Sequence, residues 1–175
     1  MAPPSAVDMS SQSTGEYLLM LVKDNAFLIL MVVIILIKTY FTVLSPIKDI
    51  EGSLVQTVKD VDDWNAKVAK ALGEEKVVVV DFFAHWCGPC KTSAPVYAQM
   101  SREYERSPVT FWKVDVDAVT RVSTDQNVRA MPTFRVYTKG EGGKLLQAES
   151  IEGWNEARLR AAIEKHCAEV DKKEK

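Results

Sequence analysis

The chain has 175 residues, 47% of them apolar and 26% charged, with a formal net charge of −2. That length holds one domain with a full core plus an appendage, and so small a charge excludes the electrostatic footprint of a nucleic-acid binder. Three cysteines, Cys87, Cys90 and Cys167, are too few for a small secreted disulfide scaffold.

Residues 1–16 are polar and rich in Ser and Pro, and are expected to be disordered. Ala26–Ile37 is then unbroken apolar sequence. Those residues alone fall short of the ~20 that span a bilayer. Extension to Leu44, or back to Tyr17, supplies the length, with Lys38 able to snorkel and Tyr17, Tyr40 and Phe41 suited to the interface. A cleaved signal peptide fits poorly, because no Lys or Arg precedes Lys23 and the apolar run starts late. A transit peptide would carry Arg, and the first Arg is Arg102. A core helix is the remaining rival, but the domain that follows is complete without it. Residues 17–44 are therefore expected to form one transmembrane anchor. Lys38 and Lys48 follow the apolar run, which favours a cytoplasmic C-terminal domain. Residues 45–53, broken by Pro46 and Gly52, read as a linker, and 171–175 as a charged tail.

Beyond the linker the elements alternate. Asp62 or Asp63 caps a helix running to Leu72, with Trp64, Val68 and Leu72 on one face. Lys76–Phe83 is continuously apolar and β-branched, the pattern of a buried strand. Cys90–Arg106 reads as a long helix with Pro95 inside it. Val109–Asp115 is a second strand and Val119–Asn127 a short helix or turn. Thr133–Thr138 and Lys144–Ser150 form a hairpin around the turn 139–143, and Asn155–Val170 is the last helix. This order gives an α/β fold, a mixed sheet with helices on both faces.

The chemistry concentrates at Trp86-Cys87-Gly88-Pro89-Cys90. Two thiols two residues apart can close into a disulfide and reopen. A strand leading in and a helix leading out place them at a helix N-terminus, where unpaired N–H groups favour thiolate. Asp81, at the end of the apolar strand, is expected to be buried with its pKa raised. A zinc site would need four ligands, and His85, His166 and Cys167 add no paired spacing to the single CxxC.

The stretches Val80–Lys91, Ala94-Pro95, Phe111–Asp117, Val128–Phe134 and Gly153, in that order and spacing, resemble the thioredoxin family over about residues 54–170. The resemblance implies the thioredoxin fold and a protein-disulfide reductase that maintains cell redox homeostasis. It implies that Cys87 is the nucleophile and Cys90 the resolving thiol, with Gly88 and Pro89 holding the sulfurs together. Asp81 becomes the proton acceptor for Cys90, Lys113 tunes it, and Pro132 is a cis-proline facing the dithiol. Trp86, Met131 and Gly153 would join Gly88 in a docking rim for a substrate strand. Trp154 stands where the family has a small residue, and His85 precedes Trp86 at a variable position. Gly-Pro between the cysteines resembles the reducing members. The implied partners are disulfide-bearing proteins and a thioredoxin reductase using NADPH; the chain needs no cofactor beyond its own disulfide. A lumenal, organellar or periplasmic reductase serving cytochrome or envelope-protein maturation is the alternative, and a non-catalytic adaptor a more distant one. Cys167 reads as a spare thiol on or under the last helix.

Overall fold

A computed structural model describes residues 22–45, 47 and 50–173. The chain divides into two units, Met1–Thr42 and Val43–Lys175.

Residues 22–24 are helical, a turn falls at Asn25, and helix α1 runs from Ala26 to Leu44, most of it in the first unit. From Phe27 to Ile37 its side chains are apolar and exposed on every face, each between 38% and 73% accessible. Thr39 donates its hydroxyl to the Ile35 carbonyl at 2.8 Å, which satisfies one polar group within the helix. Among the described residues no helix is long and apolar enough to cross a membrane. The transmembrane helix expected over 17–44 is thus not shown. The turn at Asn25 interrupts it, and α1 alone rises about 28 Å against a hydrocarbon core of about 30 Å. Residues 17–21 lie outside the described residues, as does the 1–16 segment expected to be disordered.

The second unit is built on a five-stranded mixed sheet. Its elements are β1 (Gln56–Thr57), α2 (Val61–Gly73), β2 (Val77–Phe83), α3 (Gly88–Glu103), β3 (Val109–Asp115), α4 (Thr120–Asp125), β4 (Thr133–Lys139), β5 (Leu145–Glu152) and α5 (Glu156–Lys173). The strand order is β1-β3-β2-β4-β5. β1, β3 and β2 are parallel, while β4 runs antiparallel to both β2 and β5. β2 lies at the centre and all seven of its residues are buried. A central strand faces core on both sides, which is why its sequence is continuously apolar rather than alternating.

The two faces are covered by different helices. Val77 and Val79 point toward Tyr97 and Met100 of α3 and Leu159 and Ile163 of α5. Val78, Val80 and Phe82 point toward Trp64 and Ala71 of α2 and Val122 of α4. Cys167 is buried in the α3/α5 layer, and burial pushes its thiol up to about 11. It is a packed thiol inside the last helix.

Several element boundaries differ from the sequence reading. The cap of α2 is Asp60, whose carboxylate accepts from the Asp63 N–H at 2.7 Å, and Asp63 in return accepts from the Lys59 N–H at 2.9 Å. Asp60 thus satisfies one orphan donor of the helix, Asp63 holds the Lys59 N–H before the cap, and the helix starts earlier, at Val61. α3 starts at Gly88 because Cys87 itself supplies the capping acceptor, with proline in the first turn. β1 has only two residues, too short to carry any periodic signal, and is found only by its register against Trp112 and Lys113. The helix at the C-terminus continues through Lys173, into the stretch that reads as a charged tail.

Ile163 has no exposed surface and anchors α5 to the sheet. Ile163→Ala is expected to lower the unfolding free energy by about 3 kcal/mol, measured as a shift in the urea midpoint of the full chain.

Candidate active site

β2 delivers the chain to the site and α3 carries it away. At the junction, Cys87 occupies the N-cap of α3 in an extended conformation, and its Sγ accepts the Cys90 N–H at 3.1 Å. One turn of helix then brings the sulfurs together: Cys87 and Cys90 form a disulfide with Sγ–Sγ 2.06 Å and Cα–Cα 5.3 Å. Both are buried, but unequally. Cys87 keeps 4% of its surface exposed and Cys90 none. A thiolate at Cys87 would inherit the N-cap hydrogen bond and the positive end of the helix dipole. Cys90, one turn inside, has no such access to a partner.

The Met131–Pro132 peptide is cis, and Met131 packs against the cluster of Phe83, Ala84, Cys87 and Cys90. The Gly153 N–H donates to the Pro132 carbonyl at 2.8 Å. Gly153 has φ +77°, a conformation that a Cβ would strain. Trp86 is 52% exposed and its indole N–H donates to Asp117 at 2.8 Å, which fixes the ring beside the dithiol. Gly88 is exposed at the helix start. Trp154 sits against Phe134, ring centroids 5.3 Å apart, as part of the α3/α5 layer.

Asp81 lies on the α3/α5 face of β2. Its register partner on β3 is Lys113, whose ammonium stands 5.9 Å from the Phe83 ring centroid. Asp81 is 4% exposed, and its Oδ1 is buried without a hydrogen-bond partner. Burial drives this carboxyl up to about 7, and the Lys113 charge pulls it back by a lesser amount. Beside it, burial raises the Tyr97 phenol well above its ordinary value, with Asp81 adding to the shift. The Tyr97 hydroxyl lies 3.0 and 2.9 Å from the Val79 and Trp112 carbonyls, so it donates to the sheet and ties α3 to β2 and β3.

Several of these groups escape sequence reasoning. Tyr97 looks like any aromatic on a helix face. Asp117 looks like a loop carboxylate until the Trp86 indole meets it. His85 accepts the Ile47 N–H through Nδ1 at 3.0 Å, places Nε2 3.3 Å from Asp115, and stacks edge-on against Phe83. Ile47 and Ile50, three residues apart in an otherwise mixed stretch, were the available signal that the linker has an apolar side. Among the described residues no cluster of His, Cys, Asp and Glu could hold a metal ion.

The thioredoxin family model matches residues 55–165. The chain belongs to the thioredoxin family. The H-type thioredoxin of Chlamydomonas reinhardtii is 41% identical over 117 residues, 67% of this chain and 98% of that protein. Thioredoxin-1 of Schizosaccharomyces pombe is 44% identical over 110 residues, 63% of this chain and 96% of that one. A crystal structure of a Nicotiana alata thioredoxin superposes with a TM-score of 0.59 at 35% identity, covering 68% of this chain and 97% of that one. The protein is a thiol–disulfide oxidoreductase of the thioredoxin type, a disulfide reductase.

The raised carboxyl makes a prediction about stability. In the unfolded chain Asp81 titrates near its ordinary 3.8, whereas the folded chain holds the proton to about 7. The unfolded state therefore binds fewer protons between those values, and stability falls as pH rises through that window. Above it the ionised carboxylate costs about 4 kcal/mol. Asp81→Asn is expected to flatten this slope and to stabilise the oxidised protein most above pH 7, read from urea midpoints between pH 4 and pH 9.

Proposed function

We propose that this protein is a membrane-tethered protein-disulfide reductase whose thioredoxin domain works through Cys87 and Cys90. The observation that carries the catalytic part is the disulfide at the N-cap of α3, with the more accessible sulfur at the cap. In the reduced protein the Cys87 thiolate attacks one sulfur of a substrate disulfide. A mixed disulfide forms and the other substrate sulfur leaves as thiolate. Asp81 takes the proton from Cys90, whose thiolate attacks Cys87 Sγ and expels the second substrate thiolate. Two electrons pass to the substrate, which leaves as a dithiol, and Cys87–Cys90 is restored as the disulfide seen here. A carboxyl that titrates near neutrality suits this exchange, because it is ionised in a useful fraction at the pH where a thiol must be deprotonated. Lys113, on the neighbouring strand, pulls that carboxyl part of the way back toward ionisation.

Met131, at the cis peptide, offers backbone to an extended substrate strand, with Trp86, Gly88 and Gly153 as the rim around it. Such recognition reads main chain more than side chains and favours a broad range of disulfide-bearing proteins. Recharging falls to a thioredoxin reductase drawing on NADPH.

The tether is supported by α1, whose apolar side chains face outward all round. From Ala26 to Ile37 the helix presents no polar side chain to water, which suits an apolar medium. With its flanks, residues 17–44 supply the anchor, and the lysines that follow the apolar run favour a cytoplasmic domain. Tethering raises the effective concentration of the dithiol near membrane-bound substrates.

Cys87→Ser is expected to abolish reduction of a protein disulfide, and Cys90→Ser to accumulate the mixed disulfide, resolved on a non-reducing gel. Turnover by Cys87→Ser at the wild-type rate would refute the mechanism. For the tether, the protein should stay with membranes through alkaline extraction, and its domain should be digested by protease added outside sealed, cytoplasm-exposed vesicles. Release by alkali would refute the anchor; protection from protease would reverse the topology in favour of a lumenal or periplasmic reductase.

A further inference from the structure

The residues that precede the family-matched segment, which starts at residue 55, are tied to the β2–α3 junction and along α3. The Ile47 N–H donates to His85 at 3.0 Å. The Leu54 N–H donates to the Ser101 hydroxyl at 3.0 Å, and Arg102 donates to the Glu51 carbonyl at 3.0 Å. Lys91, directly after Cys90, donates to the Ser45 hydroxyl at 3.2 Å. Between these ties the backbone turns, with the Ser53 N–H donating to the Ile50 carbonyl at 3.0 Å and Gly52 at φ +73°.

This strap lies over a cavity of about 30 Å³. Its walls are Ile47, Ile50, Ser53 and Val55 from the strap side, Asp81, Phe83 and Lys113 from the sheet, and Ala94, Tyr97 and Ala98 from α3. That is room for about two water molecules. Asp81 is the buried carboxyl in that wall, with Oδ1 unpartnered. Ala94 stands one turn along α3 from Cys90, so the cavity reaches the helix that carries the resolving thiol.

We propose that Ile47 and Ile50 are positioning residues for Asp81: the strap they belong to closes the cavity over its carboxyl, limits its contact with water, and so sets the proton affinity with which it serves Cys90. The proposal rests on the reading of Asp81 as the proton acceptor, and it adds to the site a segment that lies outside the family-matched residues. The titratable groups facing Asp81 across the cavity are the Lys113 ammonium from β3 and the Tyr97 hydroxyl from α3; the strap residues in the wall carry none. Lys113 pulls the carboxyl toward ionisation, so it is the closure of the cavity that acts in the opposite direction. With the strap lifted, water solvates the carboxylate, and its affinity for the proton must fall.

The test titrates Asp81 in the oxidised full-length protein, where neither active-site thiol can titrate. The protonated carboxyl is followed by its C=O stretch in infrared difference spectra and assigned by its loss in Asp81→Asn. The wild-type midpoint is expected near 7. In Ile47→Ala/Ile50→Ala the midpoint should drop by about one pH unit or more. A second variant, Gly52→Val, strains the strap's turn at its positive φ without touching the cavity wall, and should move the midpoint the same way. An unchanged midpoint in both variants overturns the role of the strap. The acceptor reading is checked separately by protein-disulfide reduction with Asp81→Asn. Undiminished reduction there would remove Asp81 from the mechanism, whereas slowed reduction with unmoved strap-variant midpoints would leave Asp81 in place and remove only the strap.

Discussion

A sulfur atom stands where a helix needs an acceptor. The first turn of α3 has N–H groups with no carbonyl to receive them, and Cys87 fills the N-cap with its side chain. Much of the molecule serves that placement. β2 must arrive rigid, which its burial on both faces ensures. α3 must leave in the right direction, which the Tyr97 hydroxyl against two sheet carbonyls fixes. Met131 must approach from the far side, which the cis peptide and the Gly153 tie to Pro132 arrange. The placement of Cys87 is therefore a property of the junction more than of the cysteine.

The second constraint is parity. Side chains on a strand alternate between faces, so the position of a polar residue in an apolar run decides which layer receives it. Asp81 falls on the same face as Val77 and Val79, toward α3, and so toward the helix that carries Cys90. One residue earlier or later it would enter the α2/α4 layer with Val80 and Phe82, remote from the thiols. The parallel register with β3 brings Lys113 alongside. Burial and a single neighbouring cation then act in opposite senses on one carboxyl, and burial prevails. The carboxyl is therefore held protonated well above the ordinary carboxylate range.

The N-terminal part divides by a different logic. α1 is continuously apolar from Ala26 to Ile37, and Phe27 to Ile37 are exposed on every face, before Lys38 and Thr39 break the run. The stretch after it is mixed in charge and broken by Pro and Gly, which reads as slack. Yet Ile47 and Ile50 find an apolar wall, and Leu54, Glu51 and Ser45 find polar partners on α3. Composition says what a segment is able to do in isolation; it does not say what surface it will meet.

The amino-acid sequence by itself determined the strands β2 to β5, the three longer helices of the domain and the dithiol at a helix start, because each leaves a local signature: continuous β-branched residues, turn glycines, a proline after the first cysteine. It also determined that Asp81 would be buried, since nothing around it in the strand is polar. It did not determine β1, the Asp60 cap or the first residue of α3, where one or two residues carry the decision and no period exists to read. Only the tertiary structure decided that Asp81 shares a wall with Tyr97 and Lys113, that Asp117 holds the Trp86 indole, and that His85 and α3 bind the strap. Those contacts join residues between 16 and 51 positions apart. Packing of helices on a twisted sheet sets such distances, and no local pattern in the chain records them.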